Sequence, residues 1–143
     1  MQVTLREERF VRVALDASGV MLKRELIDDV PAHVGTLTDH PVLARLDSAE
    51  NILANKLTAL IDREEPKDLA DVWGFCCRLG LPIEDALAGA QSKAAGLFAP
   101  DIARVLLGVG PDDWRLVNWI DAPDRDGYLA ELRALGERLL LVS

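Results

Sequence analysis

Aromatic residues are scarce: three Phe, three Trp and one Tyr make up 5% of the chain. A core with so few rings has to be aliphatic and alanine-rich, and that composition favours helices. No apolar run approaches the roughly 20 residues needed to span a bilayer. The opening MQVTLREERF alternates charge with apolar residues and lacks the apolar stretch of a signal peptide, so a cytoplasmic address is expected. The only two cysteines, Cys76 and Cys77, are neighbours. Adjacent residues do not easily close the usual disulfide, and without nearby histidines they make no zinc site. They are expected to pack as small hydrophobes. Positive charge is short as well: 16 Lys and Arg face 24 Asp and Glu, a formal net charge of −8. That excludes nucleic-acid binding through the field of the whole chain. Arg6, Arg9, Arg12, Lys23 and Arg24 leave two local readings, a basic patch or scattered solvated charges.

What remains is a balanced globular composition, half hydrophobic and 28% charged, with a mean hydropathy of +0.11. At 143 residues the expectation is a single domain over 1–143, large enough to bury a core. No internal repeat or long linker divides it. The fold class read from the sequence is α+β: a β-hairpin and loop over 1–45, then a bundle of about five or six helices over 46–143.

Arg9 to Leu15 alternates, Asp16-Ala17-Ser18-Gly19 is turn chemistry, and Val20 to Val30 forms a second run, which together predict a β-hairpin. Two strands alone are marginal in water, so the hairpin reads as the edge of a larger sheet. Pro31 to Arg45 reads as a loop carrying both histidines, His33 and His40. Neither has a second metal-type residue at helical spacing, and both are expected to be solvated.

Asp47 or Ser48 then caps a helix, with Glu50 placed for a capping box. Leu53, Leu57, Leu60 and Ile61 give its apolar stripe. Pro66 suits the first position of a second helix, striped by Leu69, Val72, Cys76 and Leu79 and closed at Gly80. Pro82 opens a third (Ile83, Ala86, Leu87, Ala90, ending near Gly96), and Pro100 a short fourth (Ile102, Val105, Leu106). Pro111 opens a fifth (Trp114, Val117, Trp119, Ile120). Pro123 and Asp124 precede a sixth, with Tyr128, Leu132, Leu135 and Leu139 on one side. Trp114 and Trp119 are either core or an interface anchor.

The first two helices carry ionisable residues that an ordinary helical hairpin does not need. Lys56 and Arg63, seven apart, share a face that is not the leucine stripe. Asp68 and Asp71, three apart, share one face of the second helix. If the helices pack antiparallel, the four meet in a small charged cluster. Two readings follow. One is an ion-pair network that locks the hairpin. In the other, Lys56 and Arg63 grip a phosphate chain while the aspartates orient them, or Asp71 touches a metal or accepts a proton.

The run Asn55 to Trp73, NKLTALIDREEPKDLADVW, resembles the signature of the AbiEii/AbiGii-type nucleotidyltransferases, toxins of type IV toxin–antitoxin and abortive-infection systems in the DNA polymerase β superfamily. Lys56, Ala59, Arg63, Asp68 and Asp71 match that family's K-x-x-A-x-x-x-R, then D-x-x-D, in order. The resemblance covers about residues 9–80 and implies transfer of a nucleotide from an NTP to an RNA, such as a tRNA end, or to a protein, with Mg²⁺ as cofactor. It makes Glu25, Lys56 and Asp71 the catalytic candidates, Lys56, Arg63 and Asp68 the nucleotide-binding ones, and Glu25 a metal-facing carboxylate. Read from the residues alone, Glu25 is a surface glutamate on an edge strand. The family's glycine-serine/threonine motif and D-x-D metal pair do not precede this region here, and Asp28-Asp29 is adjacent rather than alternating. The chain therefore looks like the C-terminal portion of such an enzyme, inactive alone, with an antitoxin as an implied partner. The reading from another class is a non-catalytic helical module that binds a partner protein or forms a homo-oligomer through unpaired strand edges.

Overall fold

A computed structural model describes residues 2–28 and 32–142. It has two compact units, Met1–Pro31 and Ala32–Ser143.

The N-terminal unit is an antiparallel sheet of three strands, β1 (Gln2–Glu7), β2 (Phe10–Ala17) and β3 (Val20–Ile27), in that spatial order. The expected hairpin is β2–β3. Its two-residue turn has positive φ at both Ser18 (58°) and Gly19 (81°), the geometry whose twist matches paired strands. Asp16 Oδ1 fastens it by accepting from the Gly19 amide at 3.2 Å. The first strand, β1, is an addition to the expectation. Its register slips between Val3 and Leu5, a bulge that puts these two residues, alternate in sequence, on opposite faces of the sheet. Asp29 and Val30, the end of the run read as the second strand, lie outside the described residues. Register puts Val3, Val11, Val13, Leu15, Leu22 and Leu26 on one face, and Leu5, Phe10, Arg12, Lys23, Glu25 and Ile27 on the other.

The C-terminal unit begins differently from the loop read in the sequence. Thr38–His40 (β4) and Ala44–Leu46 (β5) pair as a small ladder. His40 serves its turn: Nδ1 accepts from the amides of Val42 (3.2 Å) and Leu43 (3.1 Å). Three-residue strands have no periodicity to read, which is why sequence pattern misses them.

Six helices follow: α1 (Ala49–Arg63), α2 (Pro66–Trp73), α3 (Ile83–Lys93), α4 (Ala99–Leu107), α5 (Pro111–Arg115) and α6 (Arg125–Val142). The mixed α+β class is as expected. Ser48 is the N-cap of α1, accepting from the Asn51 amide at 3.0 Å. The α1 stripe, Leu53, Leu57 and Leu60, is buried with Ala54. It packs against α2, α3 and α4. The expected faces of α3 (Ile83, Ala86, Leu87, Ala90) and α6 (Tyr128, Leu132, Leu135, Leu139) are all buried. Helices α4 and α6 cross closely at Gly136, where a Cβ would stand 3.0 Å from Leu107 Cγ and 3.2 Å from Leu106 Cβ. Each buried leucine removes enough apolar area to favour folding by about 1.5–3 kcal/mol.

Two helices end earlier than their patterns suggest. The stripe of the second runs to Leu79, but α2 passes at Gly74 into a π-helical turn over Gly74–Arg78. That wider turn resets the register, so Cys76 stays buried while Leu79 is 65% exposed. The fifth stops at Arg115, because Leu116 leaves the helix and Trp119 folds back to donate from Nε1 to the Trp114 carbonyl at 2.9 Å. Ile120 is consequently exposed rather than part of a stripe. Trp114 and Trp119 pack against the core. No helix among the described residues is long and apolar enough to cross a membrane.

Candidate functional site

The turn between α1 and α2 is two residues long. Glu64, with φ 46°, ends α1, and its amide still reaches the Leu60 carbonyl. Glu65 leads into α2, and Pro66 occupies its first turn, where a missing N–H leaves no bond unmade. So short a turn folds the charged face of α1 onto the start of α2, and Lys56, Arg63, Asp68 and Asp71 come together as their spacing suggests.

Asp68 is the hub. Its side chain is fully buried. Arg63 donates to it twice in parallel, Nε to Oδ2 at 2.7 Å and Nη2 to Oδ1 at 2.8 Å. Lys56 Nζ approaches Oδ1 at a longer 3.4 Å and makes its short contact, 2.7 Å, with Asp71 Oδ2. Burial works against the Asp68 charge, but the Arg63 hydrogen bonds and the charges of Arg63 and Lys56 outweigh it, holding its carboxyl below the ordinary range. Lys56 is likewise disfavoured by burial, yet Asp71 and then Asp68 keep its ammonium charged to a higher pH than usual. Arg63, held first by its hydrogen bonds to Asp68, is shifted the same way.

The two cations are not equivalent. Arg63 is committed to a buried carboxylate in the bidentate geometry that suits a guanidinium. The Lys56 head is shared, and its nearer partner is 43% exposed. Lys56 is therefore the cation that can turn to an incoming anion while Asp68 and Arg63 stay paired.

Glu25 lies in the N-terminal unit, on the same sheet face as Arg12 and Lys23. Arg12 reaches its Oε1 at 2.9 Å and Lys23 at 3.3 Å. The Lys23 hydrogen bond, then Arg12, lowers its carboxyl pKa. With Arg9 paired to Asp28, three members of the suggested basic patch face carboxylates. Among the described residues no group of three His, Cys, Asp or Glu side chains is placed to hold a metal ion. The described residues therefore offer no Mg²⁺ centre built from three such side chains.

Two further polar constructions escaped the sequence. The segment 33–35 is clasped to the start of α1. The Val34 amide donates to Asn51 Oδ1 (3.1 Å), Ser48 Oγ donates to the Val34 carbonyl (2.6 Å), and Asn51 Nδ2 donates to Asp47 Oδ2 (2.7 Å). His33 Nε2 stands 2.7 Å from Asp47 Oδ1, so this histidine has a partner rather than only solvent. The Asp-Ser pair was legible as a cap; nothing in periodicity marked Asn51. The second construction is aromatic. Trp73, Trp119 and Tyr128 meet edge to face, with centroids 5.4–6.1 Å apart. Trp73 Nε1 donates to Glu131 at 2.6 Å, and Arg78 lies 4.7 Å over its ring.

The cysteines behave as packing residues. Burial pushes the Cys76 thiol up to about 12 and raises that of Cys77, so neither is a ready nucleophile.

No family model, no curated protein and no solved structure matches this chain.

Proposed function

We propose that the α1–α2 hairpin holds the phosphate chain of a nucleoside triphosphate, and that the protein serves nucleotide transfer from an NTP to an RNA or protein acceptor, as the AbiEii/AbiGii-type motif implies. The observation that carries this reading is the inequality of the two cations. Asp68 and Arg63 form a fixed base, and Lys56 sits above it with an exposed, exchangeable partner. A phosphate oxygen arriving at Lys56 replaces Asp71 and leaves the base intact. Arg63 then acts from the solvent-facing part of its guanidinium, its side chain being 44% exposed. Asp71, released from Lys56, becomes the carboxylate available to a reacting hydroxyl. Glu25 has to shed Arg12 and Lys23 before it can face a metal, and transfer needs metal-binding carboxylates beyond those described. Holding the nucleotide is thus the part of the reaction that these residues support.

The test is binding of ATP, GTP, CTP and UTP at low ionic strength, followed by NMR or calorimetry. Lys56→Ala is expected to weaken binding tenfold or more, the size of one lost charge-assisted hydrogen bond of about 1.5–3 kcal/mol. Equal binding by wild type and variant, or binding by neither, defeats the proposal.

A second reading rests on the sheet. On the face that carries Val13, Val3 is 53%, Leu22 51% and Leu26 57% exposed. Such a surface suits association with a second copy of the chain. Light scattering at micromolar concentration should then show a dimer or larger species, and a monodisperse monomer counts against it.

A further inference from the structure

A half-open cavity of about 140 Å³ lies between the starts of α1 and α3. Its depth is apolar: Leu53 of α1 and Ala86 of α3 are 1% and 4% exposed. Val34 and Leu81 wall it, and two exposed carboxylates, Glu50 and Asp85, stand at its mouth. The walls are held in place without a ligand. The Val34 amide and carbonyl are bonded to Asn51 and Ser48, and its side chain packs so near Gly89 that a Cβ there would stand 2.9 Å from Val34 Cγ2. The Leu81 amide donates to the Phe75 carbonyl at 3.1 Å. A pocket formed beforehand costs a ligand little in ordering.

Both carboxylates sit in the first turns of their helices, where the helix dipole favours negative charge. Neither has a cation. Glu84, beside Asp85 in sequence, is paired with Arg138 at 2.7 Å, whereas among the described residues no ion pair or side-chain hydrogen bond reaches Glu50 or Asp85. Size limits what can enter. A dry cavity of about 150 Å³ takes one molecule of six heavy atoms, and drug-sized ligands need roughly 300–1,000 Å³. An apolar floor beneath two negative charges then sets the polarity: a short hydrocarbon tail below, a positive charge above.

We propose that this cavity binds a small aliphatic ammonium ion of about six heavy atoms, its tail against Leu53 and Ala86 and its ammonium at Glu50 and Asp85. An alkyl anion meets like charge at the mouth, and an inorganic cation leaves the apolar floor unfilled. The net charge of −8 raises the local concentration of such a cation. None of these residues belongs to the Lys56 cluster, so the site is independent of the nucleotide reading.

The probe is n-pentylammonium, titrated into the whole chain while the methyl resonances of Val34, Leu53 and Leu81 are followed by NMR. 1-Pentanol and pentanoate, a neutral and an anionic ligand with similar tails, are titrated in parallel. The ammonium ion is expected to move all three sets of methyls and to bind about fivefold more tightly than the alcohol, the scale of two partly exposed ion pairs. Pentanoate is expected to move none. Glu50→Gln combined with Asp85→Asn should bring the ammonium ion down to the level of the alcohol. Unmoved methyls, or equal binding of the three ligands by the wild type, overturn the proposal without recourse to a variant. So does a double variant that binds n-pentylammonium as well as the wild type does. The tripeptide Leu-Gly-Gly presents an ammonium and an apolar side chain at a polypeptide N-terminus. If it binds more tightly than n-pentylammonium, the cavity belongs to a chain terminus, and its assignment to a free amine is overturned.

Discussion

Asp68→Asn is expected to destabilise the helical unit by about 2–4 kcal/mol, whereas Asp71→Asn costs less than about 1 kcal/mol. The two residues are one helical turn apart and share Lys56, so sequence alone would give them equal weight. Depth separates them. The Asp68 side chain is fully buried and accepts two short hydrogen bonds from Arg63; Asp71 is 43% exposed and makes one ion pair. Removing the buried carboxylate leaves two cations facing a neutral amide. Because Lys56 and Arg63 are 27% and 44% exposed, water screens part of that loss, which holds the figure toward the low end for a broken buried pair. The pH dependence follows with a definite sign. The folded-state pKa of Asp68 lies below the ordinary 3.8, so its contribution is complete above that value. It is lost as pH falls through the lowered folded value. Urea denaturation of both variants at neutral pH, and of wild type and Asp68→Asn down into the acid range, tests this. The acid loss should be shallower in Asp68→Asn. Equal destabilisation by the two variants would remove Asp68 from the centre of the cluster.

Much of this arrangement was legible in the sequence, and the limits have physical causes. Spacing says which residues share a helix face, so the convergence of Lys56, Arg63, Asp68 and Asp71 could be anticipated. Spacing does not say how deep a face lies, so the hub role of Asp68 and the looser hold on Lys56 could not. The leucine stripe of α6 was readable because eighteen residues keep one period. The end of the second helix was not, because a π-helical turn abandons the 3.6-residue period on which such reading depends. The β1 strand hid behind its charges, and β4–β5 behind their length. Tyr128 was correctly placed in a buried stripe, but a stripe does not show whether a hydroxyl has a partner.

Gly35→Ala carries the second large expected effect, about 2–4 kcal/mol, and bears on how the α1 face is held in place. Gly35 has φ +76°, a conformation that costs an L side chain roughly 1–2 kcal/mol. Space adds to the strain. A Cβ there would stand 2.5 Å from Ser48 Oγ and 2.8 Å from Ser48 Cβ, closer than such atoms approach. Ser48 cannot yield without cost, since its hydroxyl both caps α1 and donates to the Val34 carbonyl. Losing a cap of this kind is worth about 1 kcal/mol. Gly80 supplies the control within the same unit. Its φ is +73°, but nothing lies within 4 Å of a Cβ built on it. Gly80→Ala therefore carries the strain alone, roughly 1–2 kcal/mol. Chemical denaturation of the two variants isolates the clasp as their difference. Amide exchange should separate them as well, with faster exchange at Asn51, whose amide bonds to Ser48, in Gly35→Ala but not in Gly80→Ala. If the variants lose the same stability, Ser48 gives way freely, and the segment 33–35 does not fix the start of the helix that carries Lys56.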